Sequence, residues 1–272
     1  MPVAPRYLAG PGFDTDYALN VLIEKRSWPH HTDPDLGNVF IHSPCGRVDV
    51  AFMGDYLSPW QIRVSREPME EPAWFAAWSG AAPPEIVGAF LETLADTLEN
   101  LPDQLTSSRS PYLVKEATRP LDQAGWNKHI GDTTTTLTPY GDHAELAGLS
   151  IQRRPEPWQD EEFEPYAETI TMWGGPKKSH AHWKAEFTTG TPLHLIAAAT
   201  RSLITPAPVE RNREDLDPAV LPYLNSSAPP SSRAAAARAA SPAAAGVATA
   251  VVAAPPAAVH RETTAASHSP KR

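Results

Sequence analysis

The chain has 272 residues, a formal net charge of −9 and one cysteine. A single cysteine excludes an internal disulfide, and the acid excess opposes a protein built to hold a phosphate backbone. Residues 1–14 lack the apolar core and basic flank of a signal peptide, and no apolar run reaches the length of a membrane span, so a cytoplasmic protein is expected. The charge is uneven: residues 1–103 hold 6 Lys+Arg against 15 Asp+Glu, residues 104–206 hold 10 against 12, and residues 207–272 hold 7 against 5.

In chain order, the first predicted element is a helix over residues 14–26. Tyr17, Ala18, Val21 and Leu22 share its apolar face, Asp14 or Thr15 caps it, and Lys25 and Arg26 suit its last turn. Trp28-Pro29 ends it, because a residue before proline resists the helical region. Residues 38–42 read as a strand, Ser43-Pro44-Cys45-Gly46 as a turn, and residues 47–53 as a second strand with Val48, Val50 and Phe52 on one face. A third strand, 60–64, precedes the stretch around which the chain is organised. There Trp74, Ala76 and Trp78 alternate, Pro83-Pro84 intervenes, and Ile86, Val87, Phe90 and Leu94 recur at helical spacing. This predicts a strand, a tight turn and a helix that closes the unit near Leu101, with proline at a first helical turn.

The same series recurs. Trp183, Ala185 and Phe187 alternate, Pro192 follows, and Leu195, Ile196, Ala199 and Leu203 repeat the helical spacing. Tyr7-Leu8 is answered by Tyr112-Leu113, Trp28 by Trp126, and the Ser43–Gly46 turn by Thr138-Pro139-Tyr140-Gly141, with a strand through Ala144, Leu146 and Gly148 beginning one residue late. From Pro44 to Trp74 is 30 positions and from Pro139 to Trp183 is 44, so the second copy carries fourteen extra residues. These are placed in the proline-rich, acidic stretch near 153–168, a surface insertion. The expected architecture is α+β: two tandem repeats, 5–103 and 108–206, each with three to four antiparallel strands and a closing amphipathic helix. The pair is expected to pack about a pseudo-twofold axis. Residues 207–272 form the expected disordered tail, since from Ser226 onward Ala, Pro, Ser and Thr leave few large apolar side chains to offset chain entropy. Within it, residues 209–225 suit a turn of helix or a docking segment.

The repeated unit resembles the SPDY family, domain of unknown function 317. The residues that carry the resemblance are Arg6-Tyr7-Leu8-Ala9-Gly10, Ser43 through Val48, Trp60 with Ile62, and Trp74 through Phe90. The resemblance spans roughly residues 5–205 and implies tandem copies in an actinobacterial protein. The family carries no established activity to transfer.

His30, His31, Asp33, His42 and Cys45 are candidate metal ligands by type, but no pair has a recognised zinc spacing, and solvated loop residues are the expectation. His180 and His182 flank Ala181, so on a strand they share a face, opposite Trp183, with Asp142 or His143 as partners. Trp173-Gly174-Gly175-Pro176-Lys177-Lys178 reads as a hairpin loop rather than a phosphate cradle, which needs a helix N-terminus. Trp74, Trp78, Trp126 and Trp183 fall at repeated positions and are assigned to the core, whereas Trp60 and Trp158 are less constrained. No phosphate loop, dinucleotide fingerprint, HExxH or nucleophile elbow occurs.

The expected function is a non-catalytic protein-interaction or regulatory module with a protein partner and no cofactor, metal or membrane. Trp158, Lys177, Lys178, His180 and His182 are the candidate partner contacts. Two alternatives stand beside it: a nucleic-acid-associated protein using the second repeat, opposed by the acidic body, and an enzyme or small-molecule binder with a cleft between the repeats.

Overall fold

The computed structural model describes residues 1–12, 16–54, 58–107, 115–152, 168–175 and 181–224. A short strand, β1 (Pro2–Val3), and a 3-10 turn (Arg6–Leu8) lead into helix α1 (Asp16–Ile23). Five strands follow: β2 (His30–Asp33), β3 (Asn38–His42), β4 (Val48–Phe52), β5 (Trp60–Ser65) and β6 (Pro72–Trp78), then helix α2 (Pro84–Asn100). A 3-10 turn (Pro102–Leu105) opens the second series: α3 (Lys115–Gln123), β7 (Asn127–Ile130), β8 (Thr134–Thr138), β9 (Ala147–Gln152), β10 (Glu168–Gly174), β11 (Trp183–Thr188) and α4 (Leu193–Leu203). Strand β12 (Val209–Glu210) and two further 3-10 turns, Arg213–Asp215 and Leu221–Tyr223, end the described chain.

The fold is α+β, with two sheet-rich regions and their helices. Ten strands form one antiparallel sheet in the order β2-β3-β4-β5-β6-β11-β10-β9-β8-β7. The halves meet at β6 and β11, where Ala76 opposes Phe187, Ala77 opposes Glu186 and Trp78 opposes Ala185. The offset that carries Trp74 onto Trp183 carries Ala76 onto Ala185 and Trp78 onto Phe187. The pairing therefore maps onto itself, and a pseudo-twofold axis passes through the Ala77–Glu186 pair. Around it Trp78, Phe90 and Phe187 stack at centroid distances of 4.8, 5.2 and 5.8 Å, mostly edge to face. The helices cover one face of the sheet, with α1 on α2, α2 on α4 and α4 on α3.

Each half holds five strands rather than three or four. The additional ones, β2 and β7, are the outer edges, short and polar, as an edge exposed to water requires. The histidines at 30 and 31 lie in β2 rather than in a loop. Helix α1 ends at Ile23, so Lys25 and Arg26 lie beyond it and instead pair across to α2, Lys25 with Glu92 at 3.3 Å and Arg26 with Asp96 and Glu99. Asp14 and Thr15 lie outside the described residues. Pro84 occupies the first position of α2, where its missing N–H leaves no bond unmade.

The extra residues of the second half divide between two places. Phe52 to Trp60 spans eight positions and the matching Ile151 to Ile170 spans nineteen, so eleven sit between β9 and β10, where residues 153–167 lie outside the described residues. Others form a 3-10 turn, Gly141–His143, that delays β9 to Ala147 rather than by one residue. Gly46 and Gly141 keep the same left-handed backbone, φ +70° at both, where a side chain would be strained.

Residues 207–224 are not part of a tail. β12 pairs with β1 through Val3–Val209, and Leu216, Val220 and Leu224 are buried in the core. Three apolar side chains four residues apart give this strap enough surface to dock, despite its many charges. Residues 225–272 lie outside the described residues.

Candidate functional site

The two domain ends around Trp74 and Trp183 are built alike and occupied differently. Both indoles are buried on the helical face of the sheet. Trp183 Nε1 donates to the carbonyl of Tyr7 at 2.9 Å, and Trp74 Nε1 donates to the carbonyl of Leu105 at 2.7 Å. The 3-10 turns before α1 and α3 are thus counterparts, which pairs Tyr7 with Leu105. The sequence match of Tyr7-Leu8 to Tyr112-Leu113 falls outside the described residues.

At the Trp183 end the Tyr7 carbonyl comes so close to Gly174 that a Cβ there would lie 2.3 Å from it; only glycine fits. The Tyr7 hydroxyl lies 3.1 Å from His143 Nδ1, and the Tyr7 ring meets Trp126 edge to face. Burial pushes the Tyr7 phenol well above its ordinary value and keeps it protonated. Burial also lowers His143, against the opposing pull of Asp142. The strap closes over this cluster: Tyr223 stands edge to face against His143, and Asp217 pairs with His182 at 3.2 Å. Arg211, almost fully buried, donates Nε to the Ala9 carbonyl at 3.1 Å and Nη2 to Glu85 at 2.7 Å. Glu85 lies in the first turn of α2, where a carboxylate also suits the helix dipole.

At the Trp74 end the corresponding space is an open cleft of about 420 Å³, lined by Arg66, Glu70, Glu71, Trp74, Ser107 and Gly190 among others. It lies between the β5–β6 connection and the 3-10 turn before α3.

The sheet face away from the helices differs between halves. In the first half Asp49, Arg63 and Phe75 form one cross-strand row and Phe40, Ala51 and Gln61 a second. Asp49 and Arg63 are exposed, and Phe40, Ala51, Gln61 and Phe75 are half-buried. In the second half the counterparts Ser150, Thr171 and Trp173 are buried, with the Trp173 ring lying against Gly148.

Of the five residues singled out from sequence, only His182 is described; Trp158, Lys177, Lys178 and His180 lie outside the described residues. His182 immediately precedes β11 instead of standing on a strand, and it is half-buried against the strap rather than on an open face. Asp142 and His143 do lie at the same end, but His143 engages Tyr7. β10 and β11 pair antiparallel, with Trp173 and Gly174 in β10 rather than in a loop, and residues 176–180 lie outside the described residues. Trp60 is 1 % exposed and packs on Phe52 at 4.8 Å, so it belongs to the core, whereas Trp126 is only partly buried. His30 and His31 are consecutive on β2 and point to opposite faces, and His42 pairs with Asp49 at 2.7 Å. Among the described residues no three His, Cys, Asp or Glu side chains come together to hold a metal ion, and no helix is long and apolar enough to cross a membrane. Sequence reasoning missed Arg211, Glu85 and the cleft. The spacing of Leu216, Val220 and Leu224 was the available signal for the strap.

The profile of the SPDY family, described as a domain of unknown function (DUF317), matches residues 42–98 and again residues 149–209. No curated protein and no solved structure matches the chain.

Proposed function

With the SPDY domain carried twice, in tandem and on one continuous sheet, we propose that this chain is a non-catalytic protein-interaction module. The observation that carries the reading is the sheet face of the first domain that the described helices leave uncovered. Half-buried Phe40 and Phe75 flank exposed Arg63 and Asp49 there, and aromatic and arginine side chains are those enriched where proteins meet. The reading extends to a cytoplasmic protein of an actinobacterium. The SPDY resemblance supports that source, and a single cysteine, Cys45, leaves the fold independent of an oxidising compartment.

Affinity capture from extract of the source organism, with the full chain as bait, tests it. A partner protein is expected that also recovers this chain when the partner is the bait. The Phe40→Glu/Phe75→Glu variant should lose it while keeping the wild-type melting midpoint. Retention of every captured protein by that variant would remove the sheet face from consideration.

A further inference from the structure

The pseudo-twofold axis lets one end of the molecule be read as a template for the other. The offset that carries Trp74 onto Trp183 carries Ala73 onto His182, and pairing Leu105 with Tyr7 carries Ser107 onto Ala9. Ala73 and Ser107 line the open cleft. Their counterparts are the two positions the strap grips: Asp217 pairs with His182, and Arg211 donates to the Ala9 carbonyl. Ala9 is accordingly 1 % exposed, while Ser107 is open to solvent. Residues 209–224 fill, at the Trp183 end, a space that no described residue fills at the Trp74 end.

We propose that the cleft beside Trp74 is the groove for an extended, arginine-bearing peptide of a partner protein. Its volume lies within the range of ligand sites, roughly 300–1,000 Å³. The template occupant is extended where it enters, with Asn212 at φ −78° and ψ 141°. Its arginine serves a main-chain carbonyl and a carboxylate at once, which the planar guanidinium fork does and a lysine ammonium does not. The same offset carries Glu85 onto His194, outside the cleft, so the acceptors for a guanidinium there are different ones: the main chain at Ser107 and the carboxylates of Glu70 and Glu71, against one guanidinium, Arg66. Residues 1–103, with 6 Lys+Arg against 15 Asp+Glu, add a field that draws a basic peptide in. The proposal specifies one site of the interaction module proposed above, distinct from its sheet face.

The test titrates the full chain with a labelled nine-residue peptide, Ala-Pro-Val-Ala-Arg-Asn-Ala-Pro-Ala, and with forms carrying lysine or glutamine in place of the arginine. The arginine peptide should bind at least about tenfold tighter than the glutamine form, with lysine between them. Glu70→Lys/Glu71→Lys should lose that margin with an unchanged melting midpoint, while Asp132→Lys, a charge reversal in the β7–β8 connection, keeps it. A photo-crosslinking residue in place of Ser107 should label the added peptide. Equal affinity for the three peptides, binding that survives the double reversal, or crosslinking of Ser107 only to residues 225–272 of the same chain would each overturn the proposal. The Phe40→Glu/Phe75→Glu variant should keep peptide binding, so failure at the cleft and failure at the sheet face are separable.

Discussion

Trp74 and Trp183 hold each other's domains. The indole of Trp74, in the first domain, binds the carbonyl of Leu105, which leads into the second domain's first helix; the indole of Trp183, in the second, binds the carbonyl of Tyr7, which leads into the first domain's helix. Together with the β6–β11 pairing, this reciprocity joins the halves at three places.

Replacing Trp183 separates its packing from its hydrogen bond. Trp183→Ala should cost roughly 3–5 kcal/mol, as for other buried aromatics. Trp183→Phe retains much of the ring but leaves the Tyr7 carbonyl without its donor, and should cost roughly 1–3 kcal/mol. Chemical denaturation at constant m-value measures both; a Trp183→Phe variant as stable as the wild type would show that the hydrogen bond contributes nothing.

Arg211 is the anchor of the strap. Its side chain and that of Glu85 are 6 % and 17 % exposed, so Arg211→Met leaves a carboxylate buried without its partner, at a cost of roughly 3–5 kcal/mol. Adding Glu85→Gln should recover part of the loss, a coupling read from the double-mutant cycle. Additive losses would mean that the two side chains do not act together.

Truncation locates the end of the folded body. Ending the chain after Leu224 should leave the melting midpoint unchanged, because residues 225–272 contribute few large apolar side chains. Ending it after Pro206 removes Leu216, Val220 and Leu224 from the core and should lower the midpoint by several degrees. Coincident midpoints for the two truncations would exclude a structural role for the strap.

Stability should fall with acid before the carboxylates titrate. Burial lowers both His143 and His194 in the folded state, the latter also held by Thr97 at 2.9 Å, so the unfolded chain binds more protons near neutrality. The contribution is complete above the unfolded value of about 6.5 and is lost as the pH falls below it. Denaturation midpoints should drop between pH 7.5 and 5.5, and His143→Gln with His194→Gln should flatten that slope. An unchanged slope in the double variant would assign the acid sensitivity elsewhere.

The sequence by itself determined the repeat, the strand-turn-helix units at Trp74 and Trp183, and the α+β class. Alternation followed by helical spacing is imposed by each element burying one face, and that constraint is local. It did not reveal β2 and β7, because an edge strand wet on both sides, such as His30–Asp33, has no apolar alternation to detect. Only the tertiary structure decided the partners of Trp74 and Trp183 Nε1, since each lies across the domain boundary. It also decided the fate of the strap: charges dominate residues 209–217, and their docking depends on Glu85, 126 residues away from Arg211 in the chain. The open cleft follows from the same cause. The repeat makes the two ends alike in sequence, but among the described residues only the Trp183 end is covered by residues 209–224, which follow both repeats.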